Sequence, residues 1–419
     1  MNCSGVALAA DSAVTVGSQK IYNSAMKLFA LSKIAPVAVM IFGNAALSNV
    51  PWEIVIKEYR RSLAATTFAT LDEYAKNFVK FIEDSEVLFN KAGDEMWVRS
   101  RCYELAEHLA SQCMKEVNAA LQGSSHAGLS QSEIEDIFVA FLKSTEKNLK
   151  EWNSLNPSKE VQRRLAPVVD EAVELLGPHV FGEVFPKVRV LLRRILKDAL
   201  RRDMFPPESS GVVLAGYGES EIYPTVLTLE FDGAVRGYVR YKVKDDRCQS
   251  ISPGTVPASI IPFAQGEMVA TFMEGMNPSI RDFVETSLHR LFDALPAALM
   301  QGLNVEGANV EQSLAELGKE LRQGFMKGMD DHRRDEHVNP VMGMVMALPK
   351  DELAAMAESI VNLTAFKRRV TGDLETVGGP IDVCVISKGD GLVWVKRKHY
   401  FPPELNVMFH KNYLRELGE

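Results

Sequence analysis

The chain has 419 residues, whereas a typical domain has about 100–200, so its length indicates two or three domains or one domain with large insertions. Apolar residues make up 46% and charged residues 24% of the chain, which excludes a largely disordered protein, a collagen-like protein and a disulfide-bonded scaffold. The formal net charge is −8, and an acidic surface does not attract phosphates, so nucleic acid is an unlikely partner.

The first fifty residues have the pattern of β-strands. Short runs of small, apolar or β-branched residues alternate with turn residues at Gly17-Ser18 and Ala35-Pro36. These runs predict strands over residues 6–10, 13–16, 26–32 and 37–42. The last run is apolar throughout, which indicates a strand that is buried on both faces.

A long helical block follows. Apolar residues recur with helical spacing from Pro51, which suits the first turn of a helix, to about residue 205. The pattern predicts helices over residues 51–59, 70–84, 97–121, 130–152, 161–176 and 184–204.

Strands return in the middle of the chain and again near its end. Residues 211–217, 223–231 and 234–243 predict three strands, and Asp232-Gly233 predicts a hairpin turn between the last two. A second helical block is predicted over residues 262–274, 278–301, 310–327 and 351–370, and two final strands over residues 381–387 and 392–398. Strands that gather into sheets, with helices segregated in two blocks, predict an α+β fold.

The most specific stretch runs from Gly5 to Ser12 and reads Gly-Val-Ala-Leu-Ala-Ala-Asp-Ser. Lys27 lies sixteen residues after Asp11 and is followed by an apolar strand, and Gly43-Asn-Ala-Ala comes after that strand. This series resembles the segment near the mature N-terminus of proteasome β-type subunits, which are N-terminal-nucleophile hydrolases. The hairpin pattern over residues 214–233, and Val377-Gly-Gly379 followed by an apolar strand, are similar to later segments of the same family.

The resemblance implies a four-layer αββα sandwich in which residues 1–419 form one domain, with helical insertions at about 52–205 and 262–370. It also implies hydrolysis of a peptide or another amide by an N-terminal threonine, whose own α-amine acts as the base. Lys27 would favour the deprotonated hydroxyl, Asp11 would orient that lysine, and the backbone N–H of Gly43 would stabilise the oxyanion. The family further implies assembly into a homo-oligomer, and nothing in the sequence calls for a cofactor or a metal ion.

The nucleophile is the main departure from the family pattern. In the family it lies sixteen residues before the aspartate, and this count from Asp11 ends about six residues upstream of Met1. Cys3 and Ser4 are about 20 Å further along an extended strand and cannot simply replace it. Three interpretations remain open: a true start upstream that supplies Thr, Ser or Cys, an inactive relative, or a trimmed chain that uses Cys3.

A second departure concerns the Asp-x-x-Ser-Gly-Gly element that supports the nucleophile's amine in the family. Here Leu374 holds the aspartate position and Val377 the serine position, with Asp373 and Glu375 beside Leu374. Thr376 is the nearest hydroxyl.

Simpler interpretations stand beside these. Asp11-Ser12 is also typical of a turn that satisfies its own backbone, and Gly43 of a tight strand-to-helix connection. The charged segment 330–337, with His332 and His337 five residues apart, predicts a solvated linker rather than a metal site. The basic run 187–202 predicts an ordinary amphipathic helix, with nucleic-acid or partner binding as a lesser alternative.

The compartment follows from the cysteines and the apolar runs. Five cysteines without a Cys-x-x-Cys pair fit a reducing compartment. No apolar run near the start is long enough to span a bilayer, and no signal-peptide pattern precedes it. We therefore expect a cytoplasmic protein without a membrane partner: an amide hydrolase or, as the rival hypothesis, a non-catalytic scaffold or regulatory subunit with the same fold.

Overall fold

The computed structural model describes residues 1–16, 20–22, 25–123, 128–207, 209–263, 266–304, 307–371, 378–409 and 411. The strands are β1 (Val6–Ala10), β2 (Val14–Val16), β3 (Lys20–Tyr22), β4 (Leu28–Ala30), β5 (Val37–Gly43), β6 (Ala46–Leu47), β7 (Val50–Pro51), β8 (Ser210–Gly216), β9 (Thr225–Val235), β10 (Tyr238–Val243), β11 (Gln249–Ser250), β12 (Asp382–Ser387) and β13 (Gly391–Lys396). The helices are α1 (Trp52–Leu63), α2 (Leu71–Asp84), α3 (Lys91–Gly123), α4 (Gln131–Asn148), α5 (Lys159–Phe181), α6 (Phe185–Ala199), α7 (Glu267–Glu274), α8 (Pro278–Leu303), α9 (Ala308–Arg333), α10 (Asn339–Ala347) and α11 (Lys350–Thr371).

Two antiparallel sheets form the centre of the fold. The larger has the strand order β10-β9-β8-β5-β4, with β11 paired to β9, and the smaller has the order β1-β12-β13. One apolar cluster joins them: Val6 and Leu8 of β1 and Ile386 of β12 pack with Met40 of β5 and Val213 of β8. The sheets therefore lie face to face, with alternate side chains of each strand directed into the space between them.

Helices cover the outer face of each sheet. Trp52 of α1 and Phe78 of α2 are buried with Val39 and Phe231 of the larger sheet. On the other side, Ala354 of α11 packs against Val383 and Val385 of β12. The mixture of helix and sheet confirms the predicted α+β class.

The rest of the first helical block has a core of its own. Apolar residues of α3, α4, α5 and α6 pack together, and Val235 and Tyr238 of the β9–β10 hairpin join that cluster. The hairpin thus connects the helical cluster to the larger sheet.

The predicted turn at Asp232-Gly233 is wrong. β9 runs through both residues, and the chain reverses at Arg236 and Gly237, whose φ is +69°. Asp232 is held inside the strand by a buried ion pair with Arg240, at 2.7 Å between Oδ2 and Nε. Gly233 is needed because the indole of Trp97 occupies the space that a Cβ would take.

The predicted linker at 330–337 is also wrong. Helix α9 continues through Arg333, and one π-helical turn at residues 334–338 leads directly into α10. Charged side chains are compatible with a helix whose polar face meets water, and ion pairs such as Arg333 with Glu274, at 3.0 Å, hold them in place. None of the helices in the described ranges combines the length and apolarity that a bilayer crossing needs.

Candidate active site

Asp11 and Lys27 meet where a strand of the smaller sheet ends and a strand of the larger sheet begins. Asp11 directly follows β1, and Lys27 directly precedes β4. The Nζ of Lys27 donates a hydrogen bond to Oδ1 of Asp11 at 2.7 Å, and the two side chains are 20% and 13% exposed. The sequence prediction that these residues form a pair is thus matched by a short, partly buried ion pair.

The second carboxylate oxygen of Asp11 is held by the backbone. Its Oδ2 accepts hydrogen bonds from the N–H groups of Ala13, at 3.0 Å, and Gly378, at 3.1 Å. The carbonyl of Gly378 in turn accepts from the N–H of Ser12 at 3.1 Å. The carboxylate is therefore fixed in orientation by two amide donors and one ammonium, which suits a group that has to position a lysine.

Gly43 lies at the same end of the larger sheet as Lys27. The carbonyl of Lys27 accepts from the N–H of Ile41 at 2.8 Å, and Gly43 is two residues further along β5. Its φ is +75°, and a Cβ at this position would collide with the backbone oxygen of Ser209. Glycine is therefore required here by conformation and space, and its part in stabilising an oxyanion remains a prediction.

The segment after Gly43 is a second tight turn. Strands β6 and β7 form a two-stranded hairpin whose loop residues, Ser48 and Asn49, have φ of 47° and 70°. Helix α1 begins directly after it, close to the predicted start at Pro51. Gly43 therefore does not lead directly into α1, because the β6–β7 hairpin lies between them.

Three further residues of the site were not predicted. Ser12 is fully buried, and its hydroxyl donates to the carbonyl oxygen of Pro380. The ammonium of Lys398 donates to Oγ of Ser12 and to the carbonyl oxygen of Ala25, the latter at 2.5 Å. The basic run 396–399 is typical of a solvated strand end, yet only 11% of the Lys398 side chain is exposed.

Asp382 at the start of β12 holds Lys398. Its Oδ1 accepts from the backbone N–H of Lys398 at 2.8 Å, and its Oδ2 lies 3.4 Å from the ammonium. Burial lowers the pKa of Lys398, and the charge of Lys27 lowers it further, against the opposing effects of Asp382 and Asp11. The sequence signal for this pair was an acidic residue in the otherwise apolar run 381–386.

The site therefore contains two lysines and two aspartates whose formal charges cancel. Asp11 and Lys27 are the more exposed pair, and Asp382 and Lys398 lie deeper. An ammonium that is fixed by a carboxylate and still partly open to solvent can stabilise a neighbouring oxyanion or alkoxide. Lys27 has these properties.

Other predicted features lie elsewhere. Residues 373–377, with Leu374, Thr376 and Val377, fall outside the described residues. His332 and His337 lie on the α9–α10 helices, and no cluster of three metal-ligating side chains occurs within the described ranges. The basic residues of α6 pair with acidic residues of neighbouring helices, for example Arg193 with Asp170 at 3.1 Å.

Comparisons with family models, curated proteins and solved structures found no match to this chain.

Proposed function

We propose that this protein is a hydrolase of peptide or other amide bonds of the N-terminal-nucleophile type, in which Asp11 and Lys27 activate a nucleophile that lies ahead of Met1. The single observation that carries the proposal is the 2.7 Å ion pair between residues sixteen apart, with the lysine partly open to solvent. In this mechanism the nucleophile's hydroxyl attacks the amide carbonyl, and its α-amine takes the hydroxyl proton and passes it to the amine that leaves as the C–N bond breaks. Water then hydrolyses the resulting ester, which releases the acid and restores the hydroxyl. Lys27 favours the deprotonated hydroxyl, and Gly43 offers its N–H to the oxyanion.

The register of the first turn supports this position for the nucleophile. Asn2 and Gly5 exchange two backbone hydrogen bonds, at 3.0 and 3.3 Å, around Cys3 and Ser4. A chain that enters this turn runs antiparallel to β1, along the edge that β12 does not occupy. In this register each residue before Asn2 is opposite the residue that lies equally far after Gly5. The position about six residues before Met1 is therefore opposite Ser12, beside Asp11.

The order of the layers also supports the proposal. Helices α1 and α2, the larger sheet, the smaller sheet and helix α11 pack in that sequence. We propose that this is the αββα sandwich of the family, with the remaining helices as insertions into one domain. The two sheets bring Asp11 and Lys27 to one end of the sandwich, where a strand added beside β1 would end.

The direct test is chemical labelling of the gene product with the residues that its reading frame supplies before Met1. Intact mass is expected to show loss of the initiator methionine, and a β-lactone probe should acylate the new first residue. Lys27→Ala should abolish this labelling, while Lys57→Ala, which removes an exposed lysine of α1, should leave it unchanged. A folded protein with its upstream residues that takes up no probe would overturn the proposal, and so would a stop codon directly upstream of Met1.

A non-catalytic subunit that assembles with copies of itself is the second candidate, and an exposed apolar surface favours it. Val310, Leu317, Leu321 and Phe325 follow one stripe of α9 and are 41–53% exposed. Glu311 and Glu316 lie toward the start of this stripe, and Arg322 and Lys327 toward its end, so two antiparallel copies of α9 would place opposite charges against each other. We propose that this stripe is the contact between copies, whichever function is correct.

Light scattering tests the contact between copies. Leu321→Glu should lower the molar mass to that of the single chain, whereas Lys319→Glu, on the neighbouring turn, should change it much less. A wild-type protein that is monomeric at micromolar concentration would exclude this contact. An oligomer that takes up no β-lactone, with its upstream residues present, would favour the scaffold.

The proposed compartment is the cytoplasm. All five cysteines are free, with Cys102, Cys113 and Cys384 buried, which suits a reducing environment.

A further inference from the structure

We propose that Lys398 is a positioning residue for the Asp11–Lys27 pair: it fixes the two chain segments that carry these residues against each other. The inference rests on the proposed function for its catalytic meaning, but its geometry can be tested separately. The ammonium of Lys398 bonds to Ser12 and Ala25, and it acts on the Asp11–Lys27 pair through these two residues.

The contacts of Lys398 join the two segments directly. Its ammonium donates to Oγ of Ser12, the neighbour of Asp11, and to the carbonyl of Ala25, two residues before Lys27. The backbones of the segments meet at the same place, where the N–H of Ala25 donates to the carbonyl of Ser12 at 3.1 Å. One ammonium therefore bonds to both sides of the junction on which the 2.7 Å ion pair depends.

Asp382 sets the position of Lys398 itself. The β12–β13 pairing shifts its register between Val383 and Cys384, and the chain after Lys396 continues past the start of β12. There Asp382 accepts from the Lys398 backbone at 2.8 Å and faces its ammonium at 3.4 Å. The side chain of Asp382 is 4% exposed, so this carboxylate has little freedom to move.

Ser12 also links Lys398 to the segment that leads into β12. The segment with Leu374 and Val377 lacks the aspartate and serine that support the site in the family. The hydroxyl of Ser12 donates to the carbonyl of Pro380, which follows that segment in the chain, and accepts from the ammonium of Lys398. We therefore assign to Lys398 and Asp382 the support of this end of the site.

The test measures how accessible Lys27 is to acylation in the full-length protein. Limited reaction with acetic anhydride, followed by peptide mass spectrometry, gives the rate at Lys27 relative to exposed lysines. Lys398→Met keeps a side chain of similar length but removes the donors, and we expect Lys27 to react about fivefold faster, the factor that one hydrogen bond of ordinary strength provides. Lys396→Met removes a lysine that is 56% exposed and pairs with Glu358, and it should leave the rate at Lys27 unchanged.

Two further variants keep the proposal falsifiable. Ser12→Ala removes one acceptor of Lys398 and, like Lys398→Met, should make the acylation of Lys27 faster. This variant tests the role if Lys398→Met does not fold. Lys398→Arg should restore part of the protection, because its guanidinium can still donate to both acceptors. Folded variants at Lys398 and Ser12 with the wild-type rate at Lys27 would overturn the positioning role.

The two proposals fail differently. If wild-type protein with its upstream residues takes up no β-lactone but Lys398→Met exposes Lys27, the positioning role stands and the hydrolase proposal falls. If the β-lactone labels wild type, and labels Lys398→Met at the same rate at every pH measured, the positioning role falls.

Discussion

The ammonium of Lys27 lies 2.7 Å from Oδ1 of Asp11, and the other oxygen of that carboxylate accepts two backbone N–H groups. Asp11 directly follows a strand of the smaller sheet and Lys27 directly precedes a strand of the larger one, so their distance depends on how the two sheets are stacked. Three donors converge on one carboxylate, which makes Asp11 the better position at which to test the site.

Asp11→Ala should lower the free energy of unfolding by about 2–3 kcal/mol, because two amide donors and one ammonium lose their acceptor in a partly buried place. Asp11→Asn keeps an acceptor for Ala13 or Gly378 and should cost about 1 kcal/mol. Urea unfolding followed by circular dichroism measures both. Glu58→Ala, which breaks an exposed pair with Arg61, serves as the control, with a change within about 0.5 kcal/mol. Equal losses for the alanine variants at positions 11 and 58 would contradict the burial and bonding of Asp11.

Gly43→Ala should be destabilised by about 2 kcal/mol or more, since alanine at φ +75° is strained and its Cβ would meet the backbone oxygen of Ser209. Gly389→Ala is the matched control, because a Cβ at Gly389 has no neighbour within 4 Å. Thermal unfolding of the two variants gives the comparison. If both melt like wild type, the backbone at Gly43 is less constrained than this structure indicates.

The sequence predicts well those features that depend on local pattern. The strand at Val6–Ala10 and the apolar run beginning at Val37 were placed within a residue of their observed ends, because short runs between turn residues are local signals. The pairing of Asp11 with Lys27 came from their spacing and the family resemblance.

What depends on contacts between distant segments could not be predicted. Lys398 stands in a basic run, Lys396 to His399, which is typical of a solvated strand end. It is buried by its contacts with Asp382, with Ala25 and with Ser12, which is 386 residues away. Asp232-Gly233 is a hairpin signal by local rules, but burial of Asp232 against Arg240 keeps both residues within the strand. In both cases a tertiary ion pair overrides the local preference.

Asp232→Ala should cost about 3–5 kcal/mol, because it leaves the guanidinium of Arg240 buried without its carboxylate. Arg240 also donates to the carbonyls of Ala199, at 3.1 Å, and Met204, at 3.2 Å, so it joins the sheet to the end of α6. The double variant Asp232→Ala, Arg240→Met should lose less than the sum of its single variants, since neither member of the pair is left without the other. Guanidinium unfolding measures all three, and additive losses would show that the two side chains act independently.

The thiols should react in two classes. Cys3 is exposed, whereas burial raises the pKa of Cys102, Cys113 and Cys384 to about 12 each, and also raises the pKa of Cys248. Ellman's reagent at pH 8 should therefore label one thiol rapidly in the native protein and all five after unfolding. Cys3→Ser should abolish the rapid phase, and a rapid phase that persists in this variant would show that another cysteine is accessible.

The lowered pKa of Lys398 gives the fold a pH dependence that can be measured. In the unfolded chain this lysine titrates near its ordinary value of 10.5, and in the folded protein it titrates below that value because burial disfavours the ammonium. Between the two values the unfolded state binds more protons, so stability rises with pH, while below the folded pKa the full cost of burying the charge is present. The free energy of unfolding of wild type should therefore increase relative to that of Lys398→Met as the pH rises toward 10.5. Urea titrations at several pH values from 7 to 10.5 measure this difference. Parallel curves for the two proteins would show that Lys398 titrates alike in both states, and Lys396→Met should run parallel to wild type throughout.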